Sequence, residues 1–319
     1  MTTGSIRRGR FGALPWIGPA VLLILVMVVW PAIEMIRTSL HEIDQTGIAK
    51  GWNGISNYRS LIHNPDLPQT LVRTLLWVSV VVVATVLISL PVAQILHGKF
   101  VGRKFVRYAI IVPWAASVVM TATIWRWMLD GFYGIFNRIL QDLGILKEPL
   151  DWLGNPNSAF AFLMVVAIFV SVPFTTYVIL AGLTTVPDDI LEAGAIDGAN
   201  GWKRYKEIIF PLLRPALLVS AVINLINVFN SFPIIWAMTG GGPGYSTDTT
   251  TTLAYKISFR DQDIGQSAAM ATVNFIIILF FISIFLKVSN WREASEGQWL
   301  ALPPSAVRDA KSHSPFRVG

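Results

Sequence analysis

Long apolar runs alternate with short charged ones along the chain. Six windows hold no Asp, Glu, Lys or Arg: 11–33, 74–98, 108–125, 152–187, 215–247 and 264–286. Crossing the hydrocarbon layer as a helix takes roughly 20 apolar residues, and an uncompensated charge at the bilayer centre is costly. Each window therefore predicts a transmembrane helix. The third is short at 18 residues, but Trp125-Arg126-Trp127 closes it, and aromatic residues suit the membrane interface. β-barrel strands would show alternating stretches of about ten residues instead. The pattern predicts an all-α membrane protein with six spans.

Between the windows, the polar stretches read as connections. The segment after the first span, to about residue 70, holds GWNGISNY and HNPDLPQ and reads as loop. HGKFVGRK is a short basic turn. In FYGIFNRILQDLGI, Phe132, Phe136, Ile139, Leu140 and Leu143 recur at helical spacing, with Arg138 and Asp142 placed i, i+4. That predicts an amphipathic helix on the outer surface. TGGGPGYSTDTTTT reads as loop, the sixth span is expected to end at Lys287, and the tail with PPS and SHSP reads as disordered. The organisation expected is a tail over 1–10, a six-helix transmembrane domain over 11–288 and a tail over 289–319. Ser89-Leu90-Pro91 and Val112-Pro113-Trp114 are expected to kink their helices.

Composition agrees with a membrane protein. Hydrophobic residues make up 53%, charged residues 14%, and mean hydropathy is +0.56, whereas a soluble globule carries about 25% charged residues. If both ends lie on one side of six spans, that side collects 16 of the 25 Lys and Arg residues. The positive-inside rule then places both termini in the cytoplasm. This bias accounts for most of the +6 net charge, and no run of basic residues forms a nucleic-acid patch. The first run, FGALPWIGPAVLLILVMVVWPAI, is too long for a signal h-region and lacks a small-residue cleavage site after it, so an uncleaved first helix is expected. The chain has no cysteine, and its four histidines are scattered. No disulfide, thiolate site or metal site is expected.

The most unusual stretch is EAGAIDGANGWKRYKEIIFPLLRP, a charged insert between two charge-free spans. Pro187 suits a first helical turn, and Asp188 and Asp189 complement the positive end of the helix dipole. Ala193, Gly194 and Ala195 give that helix a flat side that another protein can approach closely. Asp197-Gly198 reads as a break. Asn200 can cap a second short helix, WKRYKEIIF, which Pro211 ends or kinks. The expectation is two short helices joined at a glycine elbow. A surface helix on lipid headgroups is the plainer reading, which Lys203, Arg204 and Lys206 would suit.

This insert resembles the EAA loop of transmembrane subunits in binding-protein-dependent ABC importers. The family pattern is EAA, three residues, G, nine residues, I-x-L-P. Here it reads Glu192-Ala193-Gly194, Gly198, Ile208 and Phe210-Pro211, with Gly194 for the third Ala and Phe210 for Leu. IVPWAASVVMTATIWRWMLD, WLGNPNSAF, VPF and MTGGGPG extend the likeness to the sugar-importing branch, similar to the first permease subunit of the maltose and glycerol-phosphate type. The resemblance implies a type I importer permease fold, with residues 184–211 as a cytoplasmic loop coupling to a separate ATPase. It implies a second permease subunit, two ATPase subunits and an extracytoplasmic solute-binding protein as partners. ATP and Mg would be held by the ATPase, with no cofactor in this chain. Glu192, Ala193, Gly194, Asp197, Gly198 and Pro211 become the coupling residues.

A solute path calls for polar groups inside the spans. Asn224, Asn227 and Asn230 are three apart, with Ser231 next and Phe229 and Trp236 close by. Amides suit sugar hydroxyls and rings suit the apolar faces of sugars. The competing reading is helix–helix hydrogen bonding. Tyr177 and Asn274 are further candidates. GGGPGYST lacks the lysine of a phosphate loop, so ATP hydrolysis is not expected of this chain. A secondary carrier would need acids within the spans, and a membrane enzyme would need a clustered His, Asp or Glu set. An importer for amino acids, peptides or phosphate remains the nearer alternative.

Overall fold

The computed structural model describes residues 14–300. α1 (Trp16–Ser39) leads to a hairpin of β1 (His41–Ile43) and β2 (Ala49–Trp52), then to α2 (Ser56–Ile62) and α3 (Leu67–His97). α4 (Arg103–Ala115) and α5 (Val118–Met128) form a bent pair, followed by α6 (Ile135–Asp142), α7 (Pro156–Thr184) and α8 (Asp188–Ile196). α9 (Gly201–Phe229), α10 (Phe232–Thr239), α11 (Thr250–Phe259) and α12 (Ile264–Leu300) complete the described chain. Five helices are long and apolar enough to cross a membrane, and the α4–α5 pair makes six if counted as one span. The tails over 1–13 and 301–319 lie outside the described residues.

Several elements depart from the sequence expectation. The third window goes beyond the kink expected at Pro113 and is bent by 94° at a break between two helices. Ala116 and Ser117 are extended there, just past Pro113, whose missing N–H weakens the turn before it. Pro91, by contrast, sits within an unbroken α3. α9 is also continuous across Pro211, so the second short helix of the insert is the start of the fifth span. The reason is a π turn over Tyr205–Ile209, in which the Phe210 N–H reaches back to the Tyr205 carbonyl. Widening the helix just before Pro211 relieves the clash that proline makes with the carbonyl four residues back. The same device recurs in α1, where the π turn Leu25–Val29 precedes Trp30-Pro31.

The chain divides into two compact units, residues 1–74 with 248–276 and residues 75–247 with 277–319. In the first, Leu61, Leu67, Leu253, Ile257, Ala269 and Met270 form the core. The loop expected before residue 70 is instead the β1–β2 hairpin and α2. Asp44 closes the hairpin turn by accepting from Thr46 N, Thr46 Oγ1 and Ile48 N, and the Thr46 hydroxyl holds its carboxyl below the usual carboxylate range. Buried Asn57 ties α2 to the end of α1 by donating to the Ser39 and His41 carbonyls, each at 2.9 Å.

The threonine-rich stretch read as loop becomes helical at Thr250, with a capping box between Thr249 and Thr252. Asp248 and Lys256 pair at 2.6 Å and are almost wholly buried. Burial raises the Asp248 carboxyl above its ordinary range, and Lys256 pulls the other way. The sixth helix does not stop at Lys287, since its backbone continues to Leu300.

In the second unit, one core gathers Trp77, Val81, Leu129, Leu163, Val228 and Ile235, and another gathers Ala93, Leu96, Ile179, Leu183 and Leu213. Trp77 Nε1 donates to the Val228 carbonyl at 3.0 Å. α6 is the expected amphipathic helix, and Arg138 meets Asp142 at 3.1 Å. Behind it, buried Asn137 donates to the Gly131 and Leu150 carbonyls and accepts from Leu150 N and Trp152 Nε1. Asn137→Ala would orphan several buried polar groups, each costing about 1–3 kcal/mol. The expected result is a segment 131–155 cleaved by protease much faster than in wild type, at a site distant from transport; unchanged cleavage would show the knot to be dispensable.

Candidate functional site

The insert folds into an arm. Pro187 stands just ahead of α8 rather than within it, and Asp188 and Asp189 occupy the first turn. The helix ends at Asp197, and Gly198 takes φ +77°. Gly198 N donates to the Ala195 carbonyl at 3.1 Å and Ala199 N to the Gly194 carbonyl at 3.0 Å. That bond pair is a Schellman cap, which calls for a left-handed residue where Gly198 stands. Asn200 Oδ1 then accepts from Lys203 N at 2.8 Å and starts α9.

Gly194 is buried against the π turn: a Cβ there would come within 2.6 Å of Ile208 Cδ1. The third motif position thus packs the arm onto the root of the fifth span, where a larger residue would require the Ile208 side chain to move. The opposite face is open. Glu192, Ala193, Ala195 and Ile196 are exposed, Ile196 to 87%, and Glu192 has no partner within the described residues. Trp202 is 72% exposed and stacks on Tyr205. An acid flanked by bare apolar side chains on a capped helix is a surface built to be covered.

The second feature is a cavity of about 410 Å³ where two helix breaks meet within the second unit. Trp114 and Val118 flank the α4–α5 break, and Asn230 and Ser231 form the α9–α10 break. Val170, Ser171, Phe174 and Thr175 of α7, Asn224 and Asn227 of α9, and Pro233 and Ile234 of α10 complete the wall. Broken helices at the membrane interior expose polar groups where a solute can use them. The Asn227 side chain is exposed and its amide makes no hydrogen bond within the described residues, while its backbone carbonyl accepts from Ser231 Oγ at 3.3 Å. Asn224 Nδ2 is buried without a partner. Asn230 Nδ2 and Ser231 Oγ bond back to the Ile226 and Val228 carbonyls. The Trp114 and Phe174 rings stack at 6.2 Å with 23° between planes. No charged side chain lines the cavity.

Three residues proposed for the path lie outside this cavity wall. Phe229 is buried in the core with Trp77 and Leu163. Tyr177 donates from its hydroxyl to the Arg107 carbonyl at 2.8 Å and borders an adjoining cavity of about 160 Å³, which shares Trp114 and Phe174 with the first. Asn274 is buried in the first unit, outside the cavity wall. Conversely, Trp114, read only as part of a kink, and Phe174, quoted only within VPF, line the cavity, as do Ser171 and Thr175, which were not read as path residues. Trp114 and Phe174 had a signal, since each adjoins a proline, Pro113 just before the α4–α5 break and Pro173 within α7.

Apolar spans, two of them broken around a polar cavity, together with a capped arm define a multi-pass membrane permease. The chain belongs to the family described as binding-protein-dependent transport system inner membrane component, which it matches over residues 70–292. It is a transport subunit of that class, not a catalyst. It is 39% identical to a probable ABC transporter permease protein of Brucella suis biovar 1 (strain 1330), over 87% of this chain and 96% of that one. It is 34% identical to the trehalose/maltose transport system permease protein MalF of Thermococcus litoralis, over 90% and 96%. The fold is shared with a subunit in the crystal structure of a bacterial alginate ABC transporter in complex with an alginate pentasaccharide-bound periplasmic protein. That likeness has a TM-score of 0.74 at 18% identity and covers 86% of this chain and 95% of that one.

Proposed function

We propose that this chain is one of two permease subunits of an ATP-driven importer for an uncharged sugar or polyol. The observation that carries the solute class is the cavity wall of amides, hydroxyls and stacked rings without a charged side chain. Side-chain amides both donate and accept, as sugar hydroxyls do, and the stacked rings offer an apolar face. A sugar phosphate or an acidic sugar would enter this wall without a counter-charge, at a high desolvation cost. The trehalose/maltose relative supports the same class.

In this reading the arm over 184–211 lies in the cytoplasm with both termini, seated in a cleft of one of two ATPase subunits that hold ATP and Mg. An extracytoplasmic binding protein delivers the solute to the opposite face. ATP-driven closure moves the arm, and α9 carries that movement without interruption to the Asn cavity, because arm root and cavity wall belong to one helix.

Asn227→Ala is expected to raise the KM of uptake about tenfold, the worth of one or two hydrogen bonds to solute, with ATPase co-purification intact. Uptake of a neutral disaccharide should be insensitive to excess phosphorylated sugar. Unaltered uptake in the variant, or strong competition by the phosphate ester, would overturn the assignment.

A further inference from the structure

The turn joining α3 to α4 encloses a shallow cavity of about 470 Å³ lined by Lys99, Phe100, Gly102, Arg103, Lys104 and Arg107. Four cations line it and no carboxylate does. Two of them are held in place by α3, whose last carbonyls need donors. Arg103 Nη1 donates to the Gly98 carbonyl at 3.3 Å, and Arg107 Nη2 donates to the Leu96 carbonyl at 3.3 Å. Those carbonyls absorb part of the guanidinium donor sets, leaving the charge without an anion. Arg107 Nε is buried and unpartnered. Lys99 and Lys104 are exposed and have no partner within the described residues.

The surroundings of this cationic cavity are apolar. Val101 is fully exposed at the tip of the turn. From there Phe105, Tyr108 and Val112 follow at four- and three-residue spacings, which places them along one side of α4. All three are more than 60% exposed. Because α4 begins the third span, this exposed apolar side runs from the basic turn into the membrane-spanning part of the chain. Cations at one end and an apolar track at the other match an amphiphile with an anionic head.

We propose that this turn is a binding site for an anionic phospholipid, the phosphodiester lying among Lys99, Arg103, Lys104 and Arg107 and an acyl chain lying along Phe105, Tyr108 and Val112. Basic pockets at membrane surfaces recognise headgroups through such charge-assisted contacts. The proposal requires only that the turn meet a membrane surface, and it stands apart from the solute cavity and the arm.

The test uses the transporter purified with its native partner subunits, with binding read by native mass spectrometry. The probes are phosphatidylglycerol, phosphatidylcholine and inorganic phosphate. Wild type is expected to retain phosphatidylglycerol in preference to phosphatidylcholine, and millimolar phosphate should not displace it. Each basic residue at such a surface is worth about fivefold in affinity, so Lys99→Gln with Lys104→Gln should weaken phosphatidylglycerol binding roughly twenty-five-fold with subunit composition unchanged. Phe105→Ser should weaken it with all charges in place. Equal retention of the two lipids, unchanged affinity in both variants, or displacement by phosphate alone would overturn the proposal. So would loss of a partner subunit from the lysine variant with lipid still held, which would mark the turn as a protein contact.

Discussion

A Gly198→Val transporter is expected to lose at least nine-tenths of its uptake while reaching the membrane in near-normal amount. A β-branched residue at φ +77° is strongly disfavoured, so the Schellman cap opens and α8 no longer holds its angle to α9. The site is exposed, and a Cβ there meets nothing within 4 Å. The loss is therefore one of arm geometry and not of packing inside the spans. Glu192→Ala is expected to act in the same direction by removing an unpaired acid from the arm's open face. Both variants should co-purify with less ATPase. Normal uptake together with normal ATPase recovery would remove the coupling role from this arm.

Gly182→Leu should do its damage elsewhere, through packing of the fourth span against the fifth. A Cβ at Gly182 would lie 2.4 Å from Ala216 Cβ, neither of which can rotate away. Forcing side chains into a filled contact costs about 1–3 kcal/mol for modest additions, and leucine adds four carbons. The expected result is a protein with a markedly lower thermal midpoint and little membrane accumulation. The smaller Gly182→Ala should be partly rescued by Ala216→Gly, because the next contacts, Leu213 Cδ2 at 3.2 Å and Ala216 Cα at 3.9 Å, are tolerable. Failure of that pair to compensate would show that the close approach is not what glycine supplies.

These two glycines also mark what could be read from the residues alone. Gly198 announced itself, because Asp-Gly after a helical run is a recognisable C-terminal signal. Gly182 did not, since a close approach between helices depends on a partner 34 positions away. The spans were legible because lipid leaves the backbone few options. Their irregularities were legible only in part: the kink expected at Pro113 is a 94° break between α4 and α5, but Pro211 is absorbed by a π turn and Pro91 leaves α3 unbroken. The outcome depends on which carbonyls find other donors, and spacing does not encode that.

The same limit shaped the solute cavity. Asn224, Asn227, Asn230 and Ser231 stood out as amides and a hydroxyl in an apolar run, and all four line the cavity. Phe229 and Tyr177 were grouped with them by proximity and type, yet one faces the core and the other bonds to the Arg107 carbonyl. Near a helix break, neighbours in sequence diverge in direction. Asp248 and Lys256 were unread as a pair because the threonine run between them looked like loop until its capping box made it a helix.

Because the natural chain has no cysteine, a single Ala193→Cys probe tests the arm directly. Its reaction with a water-soluble maleimide can be timed in membranes with and without the ATPase subunits. Protection by the ATPase, altered again on adding ATP, is the expected result. Equal labelling in all three conditions would contradict a seated, ATP-driven arm.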